Sequence, residues 1–262
     1  MLRGLYTAAS GMITESLRTD TISNNLANVD TTGYKKDTMV SEEFEAILLH
    51  RINDKQNNAT SIKGFSVGSE APVVGPLGRG SKVSEIATIQ DQGALQTTGN
   101  PYDLAISGKG YFVVNTPQGN RYTRNGNFYR SDIGQLVTVD GQAVLDNNNR
   151  PVTLPQNAKL TFGANGQVYA DNQPLTTLQL VDFQDRRALL KEGNNLFSPQ
   201  QGAQPTAATG TISQGVLEKS NVNVVSEMVQ LINNYRMYEA NSKSVTTQDS
   251  LLDKAVNEVG RL

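Results

Sequence analysis

The chain has 262 residues, 37% hydrophobic and 18% charged, with a net charge of -2. That length allows one to three compact units, and the near-neutral balance leaves no electrostatic footprint for nucleic acid or an anionic membrane. With no cysteine and one histidine, disulfides, thiolate nucleophiles and Cys- or His-rich metal sites are excluded.

The first predicted element is a helix from about Leu2 to Asn28. Its spacing alternates four and three through Leu5, Ala9, Met12, Ser16, Thr19, Ser23 and Leu26. A repeat averaging 3.5 residues keeps one seam facing a partner helix. The run Asn28-Val29-Asp30-Thr31-Thr32-Gly33 ends it with turn formers and a glycine suited to a C-terminal cap. Thr7, Ser10, Thr14, Glu15, Arg18 and Asp20 interrupt any apolar run here, so the N-terminus does not read as a secretory signal. No stretch approaches the roughly 20 apolar residues of a membrane span. The apolar run Phe44, Ile47, Leu48 and Ile52 predicts a second, shorter helical segment, closing an N-terminal helical region over 1–52.

Residues 53–82 are rich in Asn, Ser, Gly and Pro and read as a linker. Over 83–197 the period changes to two. Short apolar runs (Leu104 and Ile106, Tyr111 to Val114, Leu136 to Val139) are punctuated by Asn125-Gly126, Asp140-Gly141 and Asn165-Gly166. Such pairs supply the positive-φ residues of two-residue hairpin turns, so this stretch is predicted as an all-β domain of antiparallel hairpins. Residues 198–219 read as a return linker. From 220 to 262 a second helix follows, with Ser220, Asn221 and Asn223 as N-cap oxygens and Glu227 in its first turn. Its heptad positions are Val224, Met228, Leu231, Tyr235, Tyr238, Ser242, Val245, Asp249, Leu252, Val256 and Val259.

The fold class expected is therefore α+β: a central all-β domain flanked by long terminal helices that pair in a coiled-coil-like manner. The polar seam members Ser16, Thr19, Ser23, Ser242 and Asp249 weaken both seams. They leave little apolar surplus against an ordering entropy of about 1–2 kcal/mol per residue. An amphipathic terminal helix ordinarily packs on its own domain. Two long heptad seams, each set off by a polar linker, favour packing between molecules instead.

Signs of catalysis are weak. Gly75-Pro-Leu-Gly-Arg-Gly80-Ser81-Lys82 has serine and lysine in the wrong order for a phosphate loop and a proline within it. Gly108-Lys109-Gly110 reads as a β-turn. His50 stands beside Arg51 at the end of an apolar run, and Glu42, Glu43 and Glu45 read as a solvated acidic face rather than paired catalytic carboxylates. No cofactor and no metal are expected, and the chain reads as a non-enzyme.

Several stretches carry a resemblance covering nearly the whole chain. Ser23-Asn24-Asn25-Leu26-Ala27-Asn28-Val29, continued by Thr32-Gly33-Tyr34-Lys35-Lys36, resembles the N-terminal signature of bacterial flagellar rod and hook proteins. Ser220-Asn221-Val222-Asn223-Val224, with Glu227-Met228, Tyr235, Tyr238-Glu239-Ala240-Asn241 and Lys243, is similar to the matching C-terminal signature. Gly99-Asn100-Pro101 through Gly110-Tyr111-Phe112, and Tyr122-Thr123-Arg124-Asn125-Gly126-Asn127-Phe128, resemble the β domain of that family.

The resemblance implies a structural subunit of the flagellar basal-body rod of FlgF or FlgG type, the proximal (FlgF) type being favoured over the distal (FlgG). Its terminal segments would be disordered in the free subunit and fold on assembly into the axial shaft that transmits torque. Implied partners are copies of itself, other rod proteins, the hook protein, the surrounding rings and the flagellar type III export apparatus, with export free of a cleaved signal peptide. No nucleic acid and no direct membrane insertion are implied. The assembly interface expected comprises the seam residues above together with Asn24, Asn25 and Asn28. The competing reading is a secreted β-rich adhesion module that its helical ends merely oligomerise.

Overall fold

A computed structural model describes residues 2–44, 47–50, 73–156 and 158–259. Helix α1 (Leu2–Ala27) is followed by β1 (Asp37–Glu43), β2 (Ile47–His50), β3 (Val73–Leu77) and β4 (Ser81–Thr88). Next come β5 (Leu95–Thr97), β6 (Leu104–Ser107), β7 (Tyr111–Thr116), β8 (Gly119–Thr123), β9 (Phe128–Arg130), β10 (Leu136–Thr138) and β11 (Ala143–Val144). The series continues with β12 (Leu160–Phe162), β13 (Gln167–Ala170), β14 (Gln173–Thr177), β15 (Leu180–Phe183), β16 (Leu189–Glu192) and β17 (Leu196–Pro199). It closes with β18 (Pro205–Ala207), β19 (Thr211–Gln214), β20 (Val216–Glu218), helix α2 (Val224–Lys254) and a π-helical turn over Ala255–Val259.

The expected α+β architecture is present: a helix at each end and an antiparallel β-rich centre. The first helix starts at Leu2 as predicted, and the second starts at Val224, four residues into the predicted segment. Asn223 caps α2, its Oδ1 accepting from the Ser226 N–H at 3.0 Å. Three expectations differ. The second helix expected near Phe44–Ile52 is strand over Ile47–His50, paired antiparallel with β3. Of the expected linker 53–82, residues 53–72 lie outside the described residues, while β3 and the start of β4 occupy the rest. The expected return linker 198–219 carries β18, β19 and β20, which pair with β15, β6 and β5. Composition misled there because these short strands are held by backbone hydrogen bonds, which any side chain permits.

The chain divides into two compact units. The first comprises Met1–Asp20, Met39–Ile86 and Leu231–Leu262; the second comprises Thr21–Thr38 and Ala87–Gln230. In the second unit a sheet runs β16-β17-β8-β7-β11-β10-β9, with β15 also on β7 and β18 on β15. Strand β7 explains how this unit buries so much. Its run Tyr-Phe-Val-Val has no polar alternation because both of its faces are covered. Phe112 and Val114 enter one core with Leu104, Ile106, Phe128, Leu136, Val168 and Ile212. Tyr111 and Val113 enter a second with Tyr122, Phe183, Leu189 and Phe197. Edge-to-face ring pairs, including Phe112–Phe128 with centroids 5.1 Å apart, add geometry to burial worth about 1.5–3 kcal/mol for each large side chain.

Candidate assembly interface

The terminal helices meet within the first unit. Asn234 Nδ2 on α2 donates to the Glu15 carbonyl of α1 at 2.7 Å and to Thr19 Oγ1. Gly11 lies under Asn241 and Gly4 under Gln248, so close that a Cβ there would stand 2.8 and 2.7 Å from the amide nitrogens. The contacts pair 15–19 with 234, 11 with 241 and 4 with 248, so the two chains run in opposite directions.

The sequence-predicted seam residues fall on both sides of these helices. On α1, Leu5, Ala9, Met12, Thr19 and Leu26 are half-buried, as is Asn28 just beyond the helix; Asn25 is buried, and Ser16, Ser23 and Asn24 are exposed. On α2, Val224, Leu231, Ser242, Val245 and Leu252 are half-buried, whereas Met228, Tyr235, Tyr238 and Val256 are exposed. The buried positions of α1 lie one or two residues earlier than the predicted heptad row: Ala8, Thr14, Glu15, Thr21, Ile22 and Asn25. On α2, one predicted row (Leu231, Val245, Leu252) does turn inward, while the second inward row is Glu227, Asn234, Asn241 and Gln248. That row is polar at every seventh position, so a search for apolar residues passes over it.

Large apolar side chains also stand on the outward surfaces, among charged and polar ones. Ile13 on α1 is 64% exposed, and Ile232 and Tyr235 on α2 are 54% and 56% exposed, with Val229 and Met237 beside them.

In the second unit the N-terminal and C-terminal signatures converge on a buried polar node. Gly33 holds φ at 67° and passes so close to the chain at Arg124 and Asn125 that a Cβ would stand 2.5 Å from their backbone atoms. Beyond it, the segment Tyr34–Asp37 is braced by two amides. Asn25 accepts from the Asp37 N–H at 2.9 Å and donates to the Asp37 carbonyl at 2.8 Å. Asn221 accepts from the Lys36 N–H at 2.7 Å and donates to the Ile89 carbonyl at 2.9 Å. Each side chain does the work of a missing neighbouring strand.

At the centre, the Glu218 carboxylate is 1% exposed. It pairs with Lys35 Nζ, with the Arg124 guanidinium at 3.3 Å and with the Gly93 N–H at 3.0 Å. Arg124 also donates to the Ile106 and Gly108 carbonyls and lies over the Tyr111 ring. Burial pulls both cations below their ordinary ranges, and the Glu218 charge opposes that pull. Burial likewise pushes the Tyr111 hydroxyl up to about 12. Lys191 Nζ sits 3.6 Å from the Tyr34 ring centroid and pairs with Asp37 at 2.9 Å. Lys35, Lys36, Asn221 and Arg124 belong to the signature stretches; Glu218, Asp37 and Lys191 were not singled out. The available signal for Glu218 is its place in Val216-Leu217-Glu218, a strand position that would ordinarily be apolar.

This arrangement binds elements together and offers no site for chemistry. The groove lined by Tyr102, Lys159, Leu160 and Gln214 holds no nucleophile beside a base, and among the described residues no group of three His, Cys, Asp or Glu side chains converges as a metal site. Terminal helices that pair with each other, and a β-rich unit closed around a buried polar node, are features of a structural assembly subunit.

Comparison with known proteins gives the family. Residues 5–35 match the flagella basal body rod protein family, 105–170 the D1 domain of the flagellar hook protein FlgE/F/G family, and 213–258 the C-terminal family of flagellar basal body rod FlgEFG proteins. The flagellar basal-body rod protein FlgG of Bacillus subtilis is 35% identical, covering 98% of this chain and 99% of its own. FlgG of Caulobacter vibrioides is 38% identical over 96% and 97%. The flagellar hook-basal body complex protein FlhO of B. subtilis is 32% identical over the whole of both chains. The chain belongs to the flagellar basal-body rod protein family, whose members are structural and non-enzymatic and assemble with other flagellar components in the basal body.

Proposed function

We propose that this chain builds the rod by pairing α1 with α2 in a coiled-coil-like manner and packing their outer faces against neighbouring copies. The observation that carries this reading is the set of large apolar side chains exposed on the outer surfaces of both helices. Ile13, Val229, Ile232, Tyr235 and Met237 stand in water on helices whose inner rows are already occupied. Singly exposed apolar residues are ordinary, but Val225, Met228, Val229, Ile232 and Tyr235 recur at three- and four-residue spacing along one side of α2, and such a patch marks a contact surface. The segments 1–52 and 220–262 act as the assembly regions, and 83–197 forms the β body. Met228, Tyr235, Tyr238 and Val256 serve contacts between subunits, while Leu231, Val245 and Leu252 serve the pair within one. Other rod proteins, the hook protein and the rings are the further neighbours, and the flagellar type III apparatus is the export route. Full-length similarity to two proteins named FlgG favours the distal-rod type over the proximal one that the resemblance led us to expect.

Tyr235→Asp and Ile232→Asp test this reading in a strain lacking its own FlgG-type rod protein. Each places a charge on the outer face without touching the inner rows. Rod assembly and motility should be lost while the β body keeps its native thermal transition. Normal rods from both variants would overturn the proposal.

A further inference from the structure

The polar row on the inner face of α2 repeats at an interval of seven: Asn234, Asn241 and Gln248. Opposite it, α1 offers Gly11 to Asn241 and Gly4 to Gln248, with the Glu15 carbonyl and the Thr19 hydroxyl to Asn234. As a device for stability this is a poor choice. Glycine within a helix lowers helix stability relative to alanine. The amide oxygens of Asn234 and Gln248 are enclosed without any hydrogen-bond partner, which disfavours the pair further. Leucine at all three positions would make a stickier seam.

What the amides supply is selectivity of alignment. An amide fits only where the facing helix lacks a side chain or presents a donor or acceptor. A slip of three or four residues sets Gln248 or Asn241 against Ala8 or Glu15, which carry side chains. A slip of a full heptad in one direction moves Asn241 from Gly11 to Arg18; in the other it carries Gln248 past the start of α1, where Asn241 and Asn234 meet Gly4 and Gly11 but Asn234 loses the Glu15 carbonyl and the Thr19 hydroxyl. Buried polar positions in paired helices fix register in this way, at a cost in stability.

We infer that Asn234, Asn241 and Gln248, with Gly4 and Gly11, are the register key of the α1–α2 pair. They set which antiparallel alignment each subunit brings to the assembly. This rests on the reading that the two helices pair in the working subunit. Because alignment decides where the outer faces of both helices stand, a misaligned pair would present Tyr235 and Ile13 at the wrong heights.

The chain contains no cysteine, so engineered disulfides report alignment without background. One full-length reporter carries Ala8→Cys with Val245→Cys, the aligned pair lying between the Gly4 and Gly11 layers. The other carries Ala8→Cys with Leu252→Cys, one heptad out. With the native amides, only the first should form an intramolecular disulfide readily. Adding Asn234→Leu, Asn241→Leu and Gln248→Leu should raise the out-of-register to in-register ratio at least tenfold while slowing amide exchange in both helices. Asn241→Leu alone, a near-isosteric change, should raise that ratio at least twofold and serves if the triple variant does not fold. An unchanged ratio in the folded variants would overturn the register key. Absence of the aligned disulfide with the native amides would instead overturn the helix pairing on which it rests.

Discussion

At the scale of single residues, Glu218 carries more of the second unit than its position in a short strand implies. Two buried cations share it, and a third bond comes from the Gly93 backbone. Removing one member of a buried ionic group leaves the others desolvated and unpaired. Glu218→Gln keeps the shape and removes the charge that Lys35 and Arg124 both face. It should destabilise the protein by about 3–5 kcal/mol, the range for breaking a buried pair. Lys35→Met should cost less, since Glu218 keeps Arg124. Urea unfolding of the two variants checks the order; equal and small losses would mean that water reaches the node and screens it. None of this was legible in composition. The partners lie far apart in sequence (Lys35, Arg124 and Glu218), and no local period joins them.

At the scale of elements, periodicity gave the helices and the β centre, and dipeptides gave some of the turns. Asp140-Gly141 and Asn165-Gly166 do lie at hairpins, closing β10 to β11 and β12 to β13 with positive φ at each glycine. Asn125-Gly126 does not. Gly126 keeps a negative-side backbone, and its role is closeness: a Cβ there would fall 1.5 Å from the Leu104 carbonyl oxygen, which no side chain can share. Two tight turns escaped notice because their positive-φ residues are not glycine: Asp171-Asn172, and Asn194-Asn195 after Gly193. Short side chains that hydrogen-bond locally tolerate that conformation. The contrast is testable. Gly126→Ala should cost more than about 2 kcal/mol by forcing β6 aside. Asn172→Gly should be nearly neutral, because glycine accepts the same backbone angles. Thermal unfolding that ranks the two the other way would refute this account of both sites.

At the scale of the whole molecule, the two core clusters and the terminal helices differ in what holds them. The β7 core is closed on both faces by large apolar side chains. The helix pair is closed by amides, glycines and half-buried aliphatics, with its outer rows in water. Local opening follows that difference. In the free subunit, amide exchange should be slowest over residues 104–114 and 178–183 and much faster over 2–20 and 231–254. Assembly should slow the helical segments selectively. Equal protection of helices and core in dilute subunit would mean that the pair needs no neighbours, and the adhesion-type reading of the ends would then have a physical basis. The weakness of the seams was legible in Ser16, Thr19 and Ser242 from the sequence alone. Which face is inner and which outer was not, because the inner row of α2 is the polar one.

The braced segment Tyr34–Asp37 has a mechanical consequence. Apolar contacts resist separation but let surfaces slide, because one methyl is much like the next. Hydrogen bonds and ion pairs are directional and fail under small lateral displacement, so they oppose sliding. Asn25 at the end of α1 holds the Asp37 peptide groups, Asn221 just ahead of α2 holds the Lys36 N–H, and Lys191 and Glu218 pair with Asp37 and Lys35 of the same segment. A twist entering through the helices therefore meets a joint stiff in shear at the place where apolar packing alone would slip. The joint draws Asn25, Lys35, Lys36 and Asn221 from within the signature sequences and adds Asp37, Lys191 and Glu218 from outside them.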